Sequence, residues 1–464
     1  MKSVEHDRTR IYPIAEPYRR QSTGQTVHSR NAWLSFFGIC FYLASQAFQI
    51  PILAIGPSWA VWPVLSDVAV AILLVGLLAN SRRLRILSIP IREVYSSLLL
   101  IFGATVAAFL AMNLPSLLRT VPQVEKSFQF GIFQIYRLAQ FLLVFRVAAG
   151  LPLTLKRVRI LSAVAFITLA LAFLGIVGTY TSVLSTPLLV SHLPSDRSVA
   201  GPWVALSTGQ WYEAGTIGYN HAYVAVQLVM LAGLALSLKP KRSFLFDVLC
   251  LLISCLGVFF TASRAGMAAA LFLMVTYLFK RPAALLLAIA AFGLLFLAFS
   301  NHLGDLKMGI AETAERQLTL QRPLDPENLS GRADIWRNSL QFLMEEPVRW
   351  VIGAGPGIAA RLGNNAHMLP LQIILEGGIV GLILFGWTMF RMMTRLRRFE
   401  HGVKPIFLTT GALLISSLTQ ETLYPVPSMG HFLGLFFCAV ALTLSISSNR
   451  FVHDYVSASD VGVR

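Results

Sequence analysis

His221–Lys280 reads HAYVAVQLVMLAGLALSLKPKRSFLFDVLCLLISCLGVFFTASRAGMAAALFLMVTYLFK, and this stretch decides the fold. Three apolar runs are separated by a basic cluster, Lys239-Pro-Lys-Arg242, and by a short polar turn, Thr261-Ala-Ser-Arg-Ala-Gly266. A helix needs roughly 20 apolar residues to cross the hydrocarbon core of a bilayer. Only helices and closed barrels satisfy their backbone polar groups there, and these runs lack the period-two alternation of barrel strands. The stretch is therefore three consecutive membrane helices.

Similar runs recur on both sides of it. Upstream they lie near 32–54, 60–80, 95–115, 129–150 and 158–180, with 219–238, 243–262 and 265–279 in the quoted region. Downstream they lie near 282–300, 367–390, 405–421 and 429–448. The chain of 464 residues is 55% hydrophobic and only 13% charged, about half the charge of a soluble domain. The fold class expected is all-α: a polytopic integral membrane protein with about 12 transmembrane helices.

Basic residues set the expected orientation. The net charge of +16 comes from clusters in short loops, at Ser81–Arg85, Lys156–Arg159, Lys239–Arg242, Lys280–Arg281 and Arg391–Lys404. With the N-terminal Arg8, Arg10, Arg19 and Arg20 also inside, every second loop is basic, as the positive-inside rule requires. That pattern argues for a lipid bilayer as the partner and against nucleic acid. Residues 1–31 read as a cytoplasmic basic tail with no cleaved signal peptide. Residues 32–464 read as a single polytopic membrane domain with both termini cytoplasmic and two long outer loops, 181–218 and 301–366. Cys40, Cys250, Cys255 and Cys438 all fall in apolar runs, so neither a disulfide nor a metal site is expected.

The second outer loop concentrates acidic residues, among them Glu312, Glu315, Asp325, Glu327, Asp334, Glu345 and Glu346. Ser330 is a plausible N-cap for a helix ending before Pro347, with Ala333, Trp336, Leu340 and Leu343 as its apolar stripe. At its start, Gly331-Arg332-Ala-Asp-Ile-Trp336 places a guanidinium beside a helix N-terminus, an arrangement suited to phosphate. The alternative is a surface arginine that pairs with Asp334 or stacks on Trp336. Arg264, about 15 residues from Lys280, sits at shallow depth, where it either binds an anion or snorkels to the headgroups.

Gly353-Ala-Gly-Pro-Gly357 follows no βαβ pattern, so it is not a dinucleotide loop; its glycines suit close approach to the membrane helices. Asn364-Asn365-Ala-His367 opens the tenth run, and histidine at a water–membrane boundary can take a proton from a sugar hydroxyl. His367 could equally hold a helix end. Glu376 is an intramembrane carboxylate nine residues on, about 13 Å along the helix and too far for direct contact with His367. Tyr219-Asn220-His221 either touches substrate or holds the end of the sixth run. No His-x₃-His, Asp-x-Asp or Cys/His set has ligand spacing, so no metal and no cofactor is expected.

The ordered set Thr-Ala-Ser-Arg264-Ala-Gly, Gly-Arg332-Ala-Asp-Ile-Trp336, Gly353-Ala-Gly-Pro-Gly357, Asn365-Ala-His367 and Leu-Glu376-Gly-Gly-Ile-Val-Gly381 resembles the O-antigen ligase and Wzy-type polysaccharide polymerase superfamily. The resemblance covers mostly residues 215–390 and extends to the twelve spans and the large outer loop.

It implies a metal-independent glycosyltransferase at the outer face of the bacterial inner membrane, using an undecaprenyl-diphosphate-linked glycan donor. It also implies that Arg264 and Arg332 grip the diphosphate and that His367 acts on the acceptor hydroxyl. Asn365, Trp336, Asn220, His221 and Glu376 are then candidate substrate-binding residues. Polymerisation of lipid-linked repeat units into exopolysaccharide or O-antigen is the expected activity, with a glycan acceptor and a candidate chain-length regulator as partners. The ligase that moves finished glycan to lipid A core, or another acceptor, is the close alternative, and a lipid-linked glycan flippase the distant one. A flippase would carry internal repeats, and the two halves show none. In loop 181–218 no motif matches; Asp196, Arg197, Trp203, Trp211 and Glu213 are the residues there that could face an acceptor glycan.

Overall fold

A computed structural model describes residues 29–55, 59–79, 87–117, 122–196, 201, 203–207, 214–218, 220–239, 243–279, 281–302, 331–397, 404–425 and 430–448. Among them there is no strand, only an isolated bridge between Pro51 and Val64. Leaving aside short helical turns at Thr186–Leu189 and Trp203–Ser207, the helices in chain order are α1 (Ser29–Ala44), α2 (Leu65–Ala79), α3 (Ile89–Leu117), α4 (Pro122–Gly150), α5 (Leu155–Tyr180), α6 (His221–Leu238), α7 (Phe244–Phe260) and α8 (Arg264–Leu278). After these come α9 (Pro282–His302), α10 (Arg332–Glu345), α11 (Pro347–Ile352), α12 (Ile358–Leu362), α13 (Leu369–Arg397), α14 (Lys404–Ser416) and α15 (Phe432–Ser447). Each of the twelve expected apolar runs contains one of them. Five helices are long and apolar enough to cross a membrane, and seven shorter apolar ones accompany them. The protein is an all-α polytopic membrane protein.

Two ends differ from expectation for the same reason. The first run was expected to 54, but α1 stops at Ala44 and passes through a single 3₁₀ turn. Ser45, Gln46 and Gln49 turn inward there, bonding Ser66 at 2.7, 3.0 and 2.5 Å, and Gln227 donates to the Gln46 carbonyl at 2.7 Å. The eleventh run was expected to 421, but α14 ends at Ser416, where the Ser417 hydroxyl meets Thr422 at 2.6 Å. Polar side chains inside an apolar layer must find partners, and a turned backbone supplies them.

α6 is the central post. Every residue from Ala222 to Leu238 is buried, and α5, α7, α8, α14 and α15 pack around it. Gly266 on α8 approaches Ala225, Gly233 approaches Thr409 on α14, and Gly411 faces Phe272. These levels make α6 and α8 parallel to each other and antiparallel to α14. The ends of α6, α8 and α13 and the starts of α7, α9 and α14 therefore share one end of the bundle. Lys239, Tyr277 and Arg281 surround Asp247 there, and Arg395 pairs with Glu93. This is the basic end.

Residues 1–28 of the basic tail, the cluster at Ser81–Arg85, residues Pro240–Arg242 of the cluster that begins at Lys239, and the acidic stretch carrying Glu312, Glu315, Asp325 and Glu327 lie outside the described residues. In the first long loop, Trp203 packs with Ile50, Trp62, Val190 and Leu193 instead of facing an open surface. Asp196 is exposed; Arg197, Trp211 and Glu213 lie outside the described residues.

A buried polar knot joins α2, α4 and α15. Asp67 pairs with Arg137, accepts from Gln140 Nε2 at 2.9 Å and from the Val64 amide at 2.9 Å. The Arg137 guanidinium also reaches His431 Nε2 at 2.6 Å. Removing one member of a buried pair strands the other charge, at a cost of about 3–5 kcal/mol. Asp67→Ala should therefore lower the thermal unfolding midpoint in detergent sharply. Asp334→Ala, which breaks an exposed pair with Arg337 at 3.9 Å, should leave it nearly unchanged.

Candidate functional site

The end opposite the basic one is built by short turns. After α7, Thr261 is wholly buried, and its hydroxyl donates back to the Val258 carbonyl at 2.7 Å. Ala262 takes φ 52, and Ser263 caps α8 by accepting the Gly266 amide at 3.1 Å. The turn thus sets Arg264 as the first residue of α8, partly buried. Ala225 lies beside Gly266, so the start of α6 is at the same level. There Asn220 caps α6 by accepting the Ala222 amide at 3.0 Å, and His221 follows half-buried. The Asn220 side chain is engaged in holding a helix end.

The tenth run starts at this end as well. The Leu369 amide donates to the Ser417 carbonyl at 3.0 Å, joining the start of α13 to the end of α14. Two residues earlier, His367 has φ 50, a left-handed conformation that costs a residue with a Cβ about 1–2 kcal/mol. Neighbouring contacts hold it there. The Ala366 amide donates to Gln372 Oε1 at 2.8 Å, and the Ala366 carbonyl accepts from Trp336 Nε1 at 2.8 Å. His367 Nδ1 lies 3.5 Å from Glu421 Oε2, with the histidine side chain 27% exposed and the glutamate fully buried. Asn365 stands half-buried beside this strand.

The loop helices reach the site through their own small core. Phe342 and Leu343 of α10 pack with Ala354, Ile358, Ala366, Leu371 and Leu375, and Trp336 leans on the cluster. The expected stripe is corrected in part: Ala333 and Leu340 are exposed, and Ser339 and Phe342 take the inner face. The cap also differs, since Gly331 at φ 75 precedes α10 where Ser330 was expected. A left-handed glycine makes the entry turn without a side-chain cap. Ser330 itself lies outside the described residues. The buried Arg349 fixes the bend at Pro347, bonding the Phe342 carbonyl at 2.8 Å, Glu345 at 3.0 Å and Glu346 at 2.6 Å. Arg332, at the first position of α10, lies one helical turn before Trp336, whose indole bonds the Ala366 carbonyl.

The glycine loop docks by backbone. The Ala354 amide donates to the Leu375 carbonyl at 2.7 Å, and the Gly355 amide to the Glu376 carbonyl at 3.0 Å. Those carbonyls are available because α13 kinks at Gly378, whose φ is 65. A Cβ on Gly378 would strike the Val351 backbone, and one on Gly353 would strike the Glu376–Gly377 backbone.

Glu376 is 2% exposed and accepts from Gln372 Nε2 at 2.7 Å, Gln134 Nε2 at 3.3 Å and the Tyr424 hydroxyl at 2.5 Å. Burial, and then the Glu376 charge, hold the Tyr424 phenol well above its ordinary pKa, so it remains a donor. Through Gln372 and the Ala366 amide, Glu376 reaches the His367 strand indirectly. It also borders an apolar cavity of about 330 Å³ between α3 and α13, lined by Ala104, Ala108, Ala111, Val380, Leu384 and Phe385 among others.

Residues 249–386 match the family model described as O-antigen ligase. That stretch, under a third of the chain, is similar to the O-antigen ligase family. No curated protein is significantly similar to the chain. The segment includes Arg264, Arg332, Trp336, Asn365, His367 and Glu376, and supports an O-antigen ligase- or polymerase-type function in general. Asn220 and His221 precede it, and Glu421 follows it.

Sequence reasoning missed Glu421, reading it as the end of a span. An acidic residue closing an apolar run was the available signal, since intramembrane carboxylates mark functional sites. It also missed Arg349, whose stacking on Phe342 at 4.0 Å becomes visible only once the chain turns at Pro347.

The docking geometry predicts a contrast between neighbours. Gly353→Ala should loosen the loop, giving faster tryptic cleavage at the exposed Arg361. Gly377→Ala, whose Cβ meets open space, should cleave at the wild-type rate.

Proposed function

We propose that this protein transfers a glycan from an isoprenoid diphosphate to a sugar hydroxyl at the outer face of a bacterial inner membrane. The donor is read as undecaprenyl-diphosphate-linked oligosaccharide, and the product as a longer lipid-linked chain destined for exopolysaccharide or O-antigen. One observation carries the reading: the O-antigen ligase segment contains Arg264, Arg332 and His367. Their turns lie at the end of the bundle away from the Lys239–Arg281 cluster, which supports an extracytoplasmic site under the positive-inside rule.

The chemistry asks little of the protein. The acceptor oxygen attacks the anomeric carbon as the bond from that carbon to the diphosphate oxygen breaks, with inversion. His367 takes the hydroxyl proton, and the leaving diphosphate departs on its lipid. Diphosphate is already a good leaving group, so two guanidinium groups that neutralise its growing charge supply the main electrostatic help. The apolar cavity beside Glu376 has the size and lining to take part of an isoprenoid chain. Trp336 acts by holding the Ala366–His367 segment, and Asn365 is read as a sugar contact.

The second reading is ligation of finished glycan to lipid A core or another acceptor, favoured by the description of the matching family. Both readings share the donor chemistry and differ in the acceptor.

Purified protein incubated with a lipid-diphosphate repeat unit should give a ladder of longer lipid-linked chains without nucleotide sugar. Arg264→Ala, Arg332→Ala and His367→Ala should each lower turnover by at least 100-fold while folding normally. Transfer that appears only when a core acceptor is supplied would make the ligase the correct reading. A folded wild type that moves no glycan, yet carries the donor between leaflets of vesicles, would overturn both.

A further inference from the structure

Glu421 is a carboxylate that faces a histidine. It sits in the turn after α14, fully buried, and among the described residues neither of its oxygens has a hydrogen-bond partner. His367 Nδ1 lies 3.5 Å from Glu421 Oε2, and among the described residues that nitrogen also has no hydrogen bond of its own. Buried carboxylates are normally satisfied, so an unsatisfied one facing an unsatisfied imidazole nitrogen is a poised contact.

Both halves of the pair are rigidly mounted. The Ala366 amide and carbonyl are bonded to Gln372 and Trp336, which holds His367 in its left-handed conformation. Glu421 is mounted by the Ser417–Thr422 hydroxyl contact at 2.6 Å and by the Leu369–Ser417 backbone bond at 3.0 Å. Backbone strain that the surroundings over-determine is a feature of working sites. The neighbouring candidates do not duplicate Glu421: Glu376 is consumed by Gln372, Gln134 and Tyr424.

We propose that Glu421 is the positioning residue of His367, accepting a hydrogen bond from Nδ1–H so that Nε2 is left bare toward the acceptor hydroxyl. The proposal rests on the reading of His367 as the base. In the step itself the hydroxyl proton passes to Nε2 as the oxygen bonds to the anomeric carbon. The imidazolium so formed is stabilised by the carboxylate behind it, and the proton leaves to water after the diphosphate has gone. Glu421 is not protonated in the cycle; it sets a tautomer and a charge. Separations of 3.5 Å shorten to hydrogen bonds when substrate completes the site.

The test combines kinetics with a readout that does not depend on turnover. Protein carrying ¹⁵N-histidine is compared with its His367→Gln variant, so that the missing signals identify His367 by NMR. Wild type should show His367 protonated at Nδ1, and Glu421→Gln should shift it toward the Nε2-protonated tautomer. Glu421→Gln should lower kcat about 100-fold with the KM for donor nearly unchanged, and Glu421→Asp should regain much of the loss. Thermal unfolding checks that both variants fold.

Wild-type His367 protonated at Nε2, or a Glu421→Gln variant with unaltered tautomer and kcat, would overturn the proposal. If His367→Gln abolishes transfer while Glu421→Gln is silent, Glu421 has no positioning role and the glycan-transfer reading survives. If the tautomer follows Glu421 but His367→Gln transfers glycan normally, the base assignment fails and this proposal falls with it.

Discussion

A carboxylate within an apolar helix is costly to bury unless its oxygens are hydrogen-bonded. Glu376 meets that demand with donors from three places: Gln134 on α4, Gln372 on its own helix, and Tyr424 in the turn before α15. Its backbone carbonyl holds the glycine loop. The four elements that frame the candidate site are thereby referred to one point. Replacing that carboxylate with an apolar group would leave three buried donors without an acceptor.

From this anchor the geometry runs outward in two directions. One passes through Gln372 and Ala366 to the His367 strand, and on through Trp336 to α10, which carries Arg332 at its first position. The other passes along the α13–α14 junction to Ser417, Thr422 and Glu421. The two routes meet where His367 faces Glu421. A loop helix would ordinarily be a poor platform for chemistry, because loops move more than the elements that they connect. Here a separate apolar cluster welds α10–α12 to the membrane bundle, and the buried Arg349 fixes the bend between α10 and α11. Placement of a guanidinium on such a helix is then as firm as placement on a span.

Much of this was readable before any coordinates. Apolar runs located the five long and seven shorter apolar helices found among the described residues, because length and composition decide what crosses a bilayer. The clusters around Arg264, Arg332 and His367 stood out because charged and polar residues are rare near membrane depth. What escaped detection depends on contacts between residues distant in sequence. Glu421 is 54 positions from His367, and no local pattern links them. α1 stops short because Ser45 meets Ser66 on α2, and α14 because Ser417 meets Thr422 in the turn that follows, which hydropathy does not register. The inner face of α10 was misjudged at Ala333 and Leu340, because that helix packs on the glycine loop and α13 more than on a flat membrane surface.

The most direct test of the account separates grip from chemistry. A short-chain prenyl diphosphate, which carries no sugar, can be titrated into purified protein while bound ligand is measured at equilibrium. The account predicts equal binding to wild type and His367→Ala, and binding weakened at least tenfold, about 1.4 kcal/mol, in Arg264→Ala and in Arg332→Ala. Unchanged binding in both arginine variants would contradict it.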